Sequence, residues 1–336
     1  MPRTRVAILG AGYWGSNHVR TFAGQPRAQL VAVCDPSRRA LERAALVAAG
    51  ARLTENLDDV LDGDAVDAVV IATPAASHVE LACRALARGL HVLVEKPLAL
   101  DVAGAERVVE AARQSGTVAM VGHLMLYHPV VEYLRRLITG GELGKTYYLS
   151  SVRANLGRLR HDENALWSFA PHDFSMIDYL LDEPPTSVTA RGESFLQPGI
   201  HDVVFANLKF AGGQMAQVHL SWLNPNKERR LTVVGARKMV EFDDVATEKL
   251  RIYDRGYDRP PEFKDFAEYL TIRHGDIYLP HVPMSEPLHT EAGHFLDCIE
   301  RGECPRSDMR NGLRVVRLLA AAQASLDRDG VPIALP

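Results

Sequence analysis

The rhythm of hydrophobic and polar positions changes near Gly122. Before it, short apolar runs at Arg5–Leu9, Leu30–Cys34, Ala68–Ala72, Leu90–Val94 and Val118–Val121 alternate with helical stretches rich in Ala, Leu and Arg, such as Ser37–Ala49, Ala76–Arg88 and Val102–Ser115. Runs apolar on both faces and joined by helices predict a doubly wound parallel sheet, an α/β domain over residues 1–122. From Lys145 the rhythm is a two-residue alternation, in Lys145–Arg153, Val203–Phe210, Gln214–Trp222 and Arg229–Val234, with turns at Gly212-Gly213 and Gly235. Alternation predicts an open, mostly antiparallel sheet with one face on a core and the other available to a ligand or partner. Helices near Asp173–Leu181 and Leu288–Glu300 are expected to cover it, making residues 123–336 an α+β domain. A last helix, Gly312–Asp327, is apolar on one side and is expected to pack back on the first domain. The stretch Asp254–Pro287, rich in Pro, Gly, Asp and Tyr, reads as a long ordered loop.

A chain of 336 residues is long enough for two cores, and 47% hydrophobic with 24% charged residues is ordinary for a globular protein. The net charge of −4 provides no basic field for nucleic acid or an acidic membrane surface. No apolar run approaches a membrane span, and Val6-Ala7-Ile8-Leu9 is too short for a signal sequence, so a cytoplasmic protein is expected. The four cysteines, Cys34, Cys83, Cys298 and Cys304, form no Cys-x-x-Cys pair and imply neither zinc nor a disulfide framework. His161-Asp162, His201-Asp202, His289 and His294 lack the i, i+4 spacing of a helical ligand pair, so no metal is expected.

Chemistry enters at Gly10-Ala11-Gly12-Tyr13-Trp14-Gly15, between the first strand and a helix from about Trp14 to Ala23. In that context Gly10 permits a tight turn, Gly12 lets a pyrophosphate approach the backbone, and Gly15 lets helix and strand pack closely. The helix N-terminus then meets the phosphate charge. The next apolar run ends in Asp35, about twenty residues past the last glycine, where a carboxylate can accept from both ribose hydroxyls and favours NAD over NADP. Asp35 can equally be a helix N-cap, and Ser37, Arg38 and Arg39 could receive a 2′-phosphate, so NADP stays open. Thr73 and Pro74, with His78 just beyond, and Glu95-Lys96-Pro97 stand at the carboxyl ends of parallel strands, where doubly wound folds bind ligands. Taken alone, the first is also an ordinary strand-to-helix turn and Lys96 a solvated loop lysine.

The ordered set of glycine turn, Asp35, Thr73-Pro74, Glu95-Lys96-Pro97 and Gly122-His123 resembles the Gfo/Idh/MocA family, named for glucose–fructose oxidoreductase, inositol dehydrogenase and a rhizopine-catabolism protein. The resemblance covers essentially the whole chain and implies a Rossmann domain followed by an open-sheet domain. It implies that Lys96 contacts substrate and nicotinamide. It also implies that His172, in Trp167-Ser168-Phe169-Ala170-Pro171-His172-Asp173, begins a helix and exchanges the substrate hydroxyl proton. A structural hydrogen bond at a helix start is the alternative for His172. The chain departs from the family at Ser168, where an aspartate usually stands four residues before the histidine; Asp173 or Asp178 could orient His172 instead.

The expected substrate contacts are Lys96, His123, Tyr127, Arg153, Asn155, Trp167, His172, Trp222 and Lys227. Arg153 and Asn155 share one face of a strand end, and Ser221–Lys227 places an indole and an ammonium at another. With Arg229 and Arg230 they could cradle a sugar or the phosphates of a nucleotide sugar; cross-strand charge pairing is the alternative. The segments Gly275–Pro280 and Ser285–Leu288 resemble the branch of the family that oxidises nucleotide-linked and amino sugars or reduces their ketones. The combined expectation is an NAD(P)-dependent oxidoreductase of a sugar secondary alcohol or ketone, a homodimer or homotetramer through the open sheet face. An NAD-dependent glycosidase or lyase using transient oxidation and a non-catalytic NAD-binding sensor are the competing readings.

Overall fold

A computed structural model of the chain describes residues 3–61, 65–156, 160–161, 163–258 and 270–335. Asp162 and residues 259–269 of the expected loop lie outside the described residues. By internal contacts the chain divides into two units, Met1–His128 with Ser285–Arg317, and Pro129–Met284 with Leu318–Pro336. A simple cut at residue 122 leaves the 285–317 segment on the other side.

In the first unit the elements run β1 (Thr4–Leu9), α1 (Gly15–Ala23), β2 (Ala28–Cys34), α2 (Arg38–Ala45), β3 (Arg52–Thr54), α3 (Asp58–Leu61), β4 (Ala68–Ile71), α4 (His78–Ala87), β5 (His91–Glu95), α5 (Val102–Ser115) and β6 (Ala119–Gly122). The sheet order is β3-β2-β1-β4-β5-β6, every pair parallel. Val6–Leu9 of β1, Ala68–Ile71 of β4 and Val92–Val94 of β5 are buried aliphatics, which is why these strands read as apolar runs. Edge strand β3 was not expected; three residues, the first an exposed arginine, leave no periodic signal. Caps set the helix ends. Ser37 accepts from Ala40 N at the start of α2, Asp101 accepts from Gly104 N at 2.7 Å to start α5, and Gly116 at φ 65° ends it.

The second unit contains α6 (Pro129–Thr139), β7 (Thr146–Ala154), α7 (Ala165–Leu181), β8 (Pro185–Glu193), β9 (Val203–Phe210), β10 (Met215–Ser221), β11 (Glu228–Gly235), β12 (Met239–Asp243), β13 (Leu250–Tyr253), β14 (Gly256–Asp258), β15 (Thr271–Arg273) and β16 (Ile277–Tyr278). The chain continues through α8 (Pro287–Arg301), within the first unit, and α9 (Met309–Leu326) to β17 (Ile333–Ala334). The large sheet runs β16-β13-β12-β11-β7-β10-β9-β8-β17, antiparallel except for the β7–β10 pair. Alternation predicted it: along β9 and β10 buried residues face the core and Phe205 and Met215 lie exposed on the other face.

Three expectations change. The stretch Asp254–Pro287 contains β14, β15 and β16, with β16 adding to the large sheet at β13, rather than being a loop throughout. Helix α6 was not anticipated. Helix α7 starts at Ala165, eight residues before the expected Asp173, because the Asn164 side chain caps Trp167 N at 3.1 Å. Pro171 sits inside it, buried with Ala170 and Phe174, so packing overrides the usual helix-breaking effect. The last helix is shared: Gly312 lies against Val121 and Leu98 of the first unit, and Ser325 Oγ accepts Ala190 N of the second at 2.8 Å.

Candidate active site

The glycine turn has the shape its spacing predicts. Gly10 adopts φ +92°, and a Cβ there would lie 2.7 Å from Ala72 O. At Gly15 a Cβ would meet Gly10 O at 2.0 Å, so only glycine lets α1 approach the turn. Gly12 faces open space, with no atom within 4 Å of the Cβ position, and Tyr13 beside it is exposed. Helix α1 opens without a side-chain cap; Ser16 N donates to Gly12 O at 3.0 Å and Asn17 N to Trp14 O at 2.9 Å, and its positive N-terminal end faces the glycine turn. This cradle fits a dinucleotide: Gly10, Gly12, Gly15 and the start of α1 would hold the pyrophosphate.

Asp35 is not the helix cap; Ser37 is. The Asp35 carboxylate accepts Ala11 N at 2.6 Å and Ser37 N at 2.7 Å, and so holds the glycine turn against the end of β2, where a ribose would lie. Arg38 points into solvent and reaches only Glu42 at 3.7 Å, so the structure provides no guanidinium aimed at a 2′-phosphate from that position. His78, expected to touch cofactor, is buried and bridges Thr73 O at 2.9 Å and Pro97 O at 2.8 Å. It clamps the turn of Thr73 and Pro74 to the turn that bears Lys96.

Glu95 is the pivot of the first unit. Its buried carboxylate accepts the indole N–H of Trp14, in the glycine turn, and lies 2.7 Å from Nε2 of His18, in α1. Burial opposes its ionisation most, yet the His18 and Trp14 hydrogen bonds with the nearby charges of His18 and Lys96 together hold it below the usual carboxylate range. Lys96 N donates to Glu95 Oε2 at 3.2 Å, so the lysine's backbone is tied to the same group.

A second carboxyl, Glu291 on α8, lies near Glu95 and went unnoticed in the sequence. It is fully buried, and neither oxygen has a hydrogen-bond partner among the described residues. Burial first, then the charge of Glu95, raises it well above the usual carboxylate range. Its place in the Leu288, Ala292, Phe295, Leu296 stripe of α8 was the available signal. A carboxyl whose folded pKa is raised stabilises the fold below its unfolded pKa of about 4.3 and loses that contribution as pH climbs through the folded value. Glu291→Gln, which mimics the neutral acid, is expected to melt higher than the parent, with the difference growing as pH rises from 5 to 8. Each unit of pKa elevation is worth about 1.4 kcal/mol. A pH-independent difference in melting temperature would show that Glu291 titrates normally.

Two expected substrate contacts are buried inside the first unit instead. His123 Nδ1 lies 2.7 Å from Asn311 Oδ1, and the Tyr127 hydroxyl lies 2.9 Å from Ser307 Oγ. Burial, then Glu291, raises the Tyr127 phenol above its ordinary range. Both sit after a strand end, where sequence does not distinguish a polar side chain turned inward from one turned to a ligand.

The second unit sets Arg153 and Arg229 side by side on β7 and β11, on the face that α7 covers. His172 lies mid-helix in α7 rather than at a helix start, with Ser168 one turn before it on the same face. Asp173, one candidate to orient His172, is engaged elsewhere: it accepts Arg153 Nε at 2.6 Å and Ser151 Oγ at 2.6 Å. Asp178, six residues after His172, falls on another face of the helix. Asn155 accepts Arg229 Nη2. Trp222 is buried, edge-on to Phe169 at 6.5 Å, and supplies a wall rather than an open platform. Trp167 is turned away, its indole donating to Gln323 Oε1 at 3.2 Å. Lys227 is exposed and lines a recess with Arg229, Arg230 and Asp243. No group of three His, Cys, Asp or Glu side chains among the described residues is placed to hold a metal ion.

The comparisons with known proteins agree with this geometry. Residues 4–123 match the Gfo/Idh/MocA oxidoreductase family model with an NAD-binding Rossmann fold, and residues 131–241 match the family's C-terminal domain. An NAD(+)-type scyllo-inositol 2-dehydrogenase of Bacillus subtilis is 25% identical over 99% of this chain and 96% of its own. A crystal structure described as an oxidoreductase, from Magnetospirillum magnetotacticum, is 33% identical, with a TM-score of 0.82 over 95% of this chain and 99% of that one. The WlbA dehydrogenase of Bordetella pertussis, solved with NADH and UDP-GlcNAcA, is 26% identical with a TM-score of 0.81 over 99% of both chains. The chain belongs to the Gfo/Idh/MocA oxidoreductase family, and residues 4–123 are that family's NAD-binding Rossmann fold.

Proposed function

We propose that the protein oxidises a secondary alcohol of a sugar, or reduces the corresponding ketone, with a nucleotide-linked sugar as substrate. The observation that carries this reading is the Glu95 carboxylate. It ties the turn bearing Lys96 to the helix that follows the glycine turn, so the lysine is held in register with the dinucleotide cradle. Bound NAD supplies the hydride acceptor or donor at its nicotinamide ring. Lys96 directs an ammonium at the substrate oxygen and stabilises the charge that develops there as the proton leaves. His172 takes that proton in oxidation and returns it in reduction. The relatives support the substrate class: one acts on scyllo-inositol, and another was solved with UDP-GlcNAcA. The open sheet face with Phe205 and Met215 exposed supports a homodimer or homotetramer.

The test is NADH formation by the purified protein against a panel of free polyols, free sugars and nucleotide sugars. Turnover of nucleotide sugars supports the reading; reaction with free polyols only would sink its nucleotide part. Product formed without net NADH would point to transient oxidation and a lyase. His172→Asn is expected to lower kcat by about 100- to 1,000-fold and to remove one limb of the pH–rate profile, with NADH affinity unchanged. An unaltered pH profile would take the proton-transfer role from His172.

A further inference from the structure

We propose that Arg229 is the receptor for an anionic group of the substrate, a carboxylate or phosphate oxygen carried by the sugar. The inference rests on the sugar-oxidoreductase reading and adds the charge of the substrate to it. Arg153 and Arg229 are direct cross-strand partners on β7 and β11, on the face covered by α7. Two guanidiniums side by side require counter-charge; Asp173 and Asp244 both act on Arg229 through space, but neither forms an ion pair with it. Asp173 gives both oxygens to Arg153 and one also to Ser151. Asp244, the next acid along, is 3.6 Å from Lys249 Nζ.

Arg229 is left with neutral acceptors. It donates to Glu228 O at 2.9 Å, to Ala154 O at 3.4 Å and to Asn155 Oδ1, and it lies over the Phe169 ring at 5.3 Å. Among the described residues no carboxylate is within ion-pair distance of it. Burial, then the charge of Arg153, pushes its pKa down to about 10 against the opposing pull of Asp173 and Asp244, so it keeps its proton at neutral pH without a carboxylate bonded to it. A guanidinium kept for the fold is placed as Arg153 is, bonded to a buried carboxylate. Arg229 is half-buried, borders the recess with Lys227, and has its planar donor fork oriented by Asn155 and Phe169.

The position is also tied to the chemistry. Phe169 stands three residues before His172, on the same face of α7, and Trp222 packs edge-on with the Phe169 ring at 6.5 Å. An anion on Arg229 is therefore anchored one helical turn from the proposed proton-transfer group. Such a contact fixes which substrate carbon faces His172 and discriminates against neutral polyols, because without an anion the half-buried charge stays unpaired.

The test is calorimetric titration of the NADH-loaded protein with UDP, glucuronate, UDP-glucuronate and glucose. At least one charged probe is expected to bind more tightly than glucose, with an affinity that falls as salt rises. Arg229→Leu and Arg229→Gln are each expected to weaken that probe by about 30-fold or more, while Arg229→Lys keeps part of the affinity. The second variant retains a side-chain polar group should leucine impair folding; NADH affinity and melting temperature report folding. Loss confined to glucuronate assigns a carboxylate, and loss confined to UDP assigns a phosphate. Charged probes that bind no better than glucose, or that bind both neutral variants as they bind the parent, would overturn the proposal. Arg229-dependent binding with no NADH formed from any sugar would instead sink the oxidoreductase reading and leave the anion site standing.

Discussion

Gly15→Ala is expected to abolish measurable dinucleotide binding and to lower the melting temperature of the protein. The added Cβ would stand 2.0 Å from the carbonyl oxygen of Gly10 and 2.8 Å from its carbon, distances no real contact tolerates. The obstacle is backbone, so relief requires moving α1 off the turn or opening the turn itself. Overpacking of this kind costs about 1–3 kcal/mol or more, and it distorts the N–H groups that face the pyrophosphate. Gly12→Ala is the control, since its Cβ meets nothing within 4 Å in the free chain. That variant is expected to fold with parental stability and to lose affinity only, because its methyl enters the space left for the phosphates. NADH fluorescence titration and thermal unfolding of both variants separate the effects. If Gly15→Ala bound NADH like the parent, the close helix approach would not be what builds the site.

Lys96→Met is expected to reduce turnover by about 1,000-fold while NADH affinity changes by less than about threefold. Methionine keeps the length and most of the volume of the stem, and the Lys96 N–H to Glu95 bond is main-chain, so the turn should survive. What disappears is the ammonium that offsets charge on the substrate oxygen. A group whose interaction strengthens toward the transition state lowers kcat when removed. Lys96→Arg is not expected to rescue, because a planar fork cannot replace a compact point charge in the same space. Turnover within tenfold of the parent would mean that Lys96 only binds.

How much of this could be read from the chain differs element by element. Gly10, Gly12, Gly15, Asp35 and Glu95-Lys96-Pro97 are close in sequence to the strand ends that present them, and local spacing placed them correctly on the fold. His78, His123 and Tyr127 follow strand ends too, yet the structure turns them inward onto Pro97 O, Asn311 and Ser307. Two of those partners lie about 180 residues away, and nothing local to His123 or Tyr127 records them. Helix α7 shows the same limit from the other side: it was expected from Asp173, and it runs from Ala165 through a buried Pro171.

Local order determined the alternation of apolar strands and helices, the glycine turn, and the change to two-residue alternation after Gly122, because strand period, turn stereochemistry and helix capping act over a few residues. Local order therefore sufficed for a dinucleotide fold followed by an open sheet, while the family resemblance pointed to Lys96 and His172 as the groups to test. Only tertiary structure decided which charges are balanced. Asp173 went to Arg153, Glu95 to His18 and Trp14, and among the described residues Arg229 and Glu291 were left without an ion-pair partner. Charge compensation and burial are set by neighbours brought from distant strands and helices, and each depends on distances that no spacing along one chain encodes.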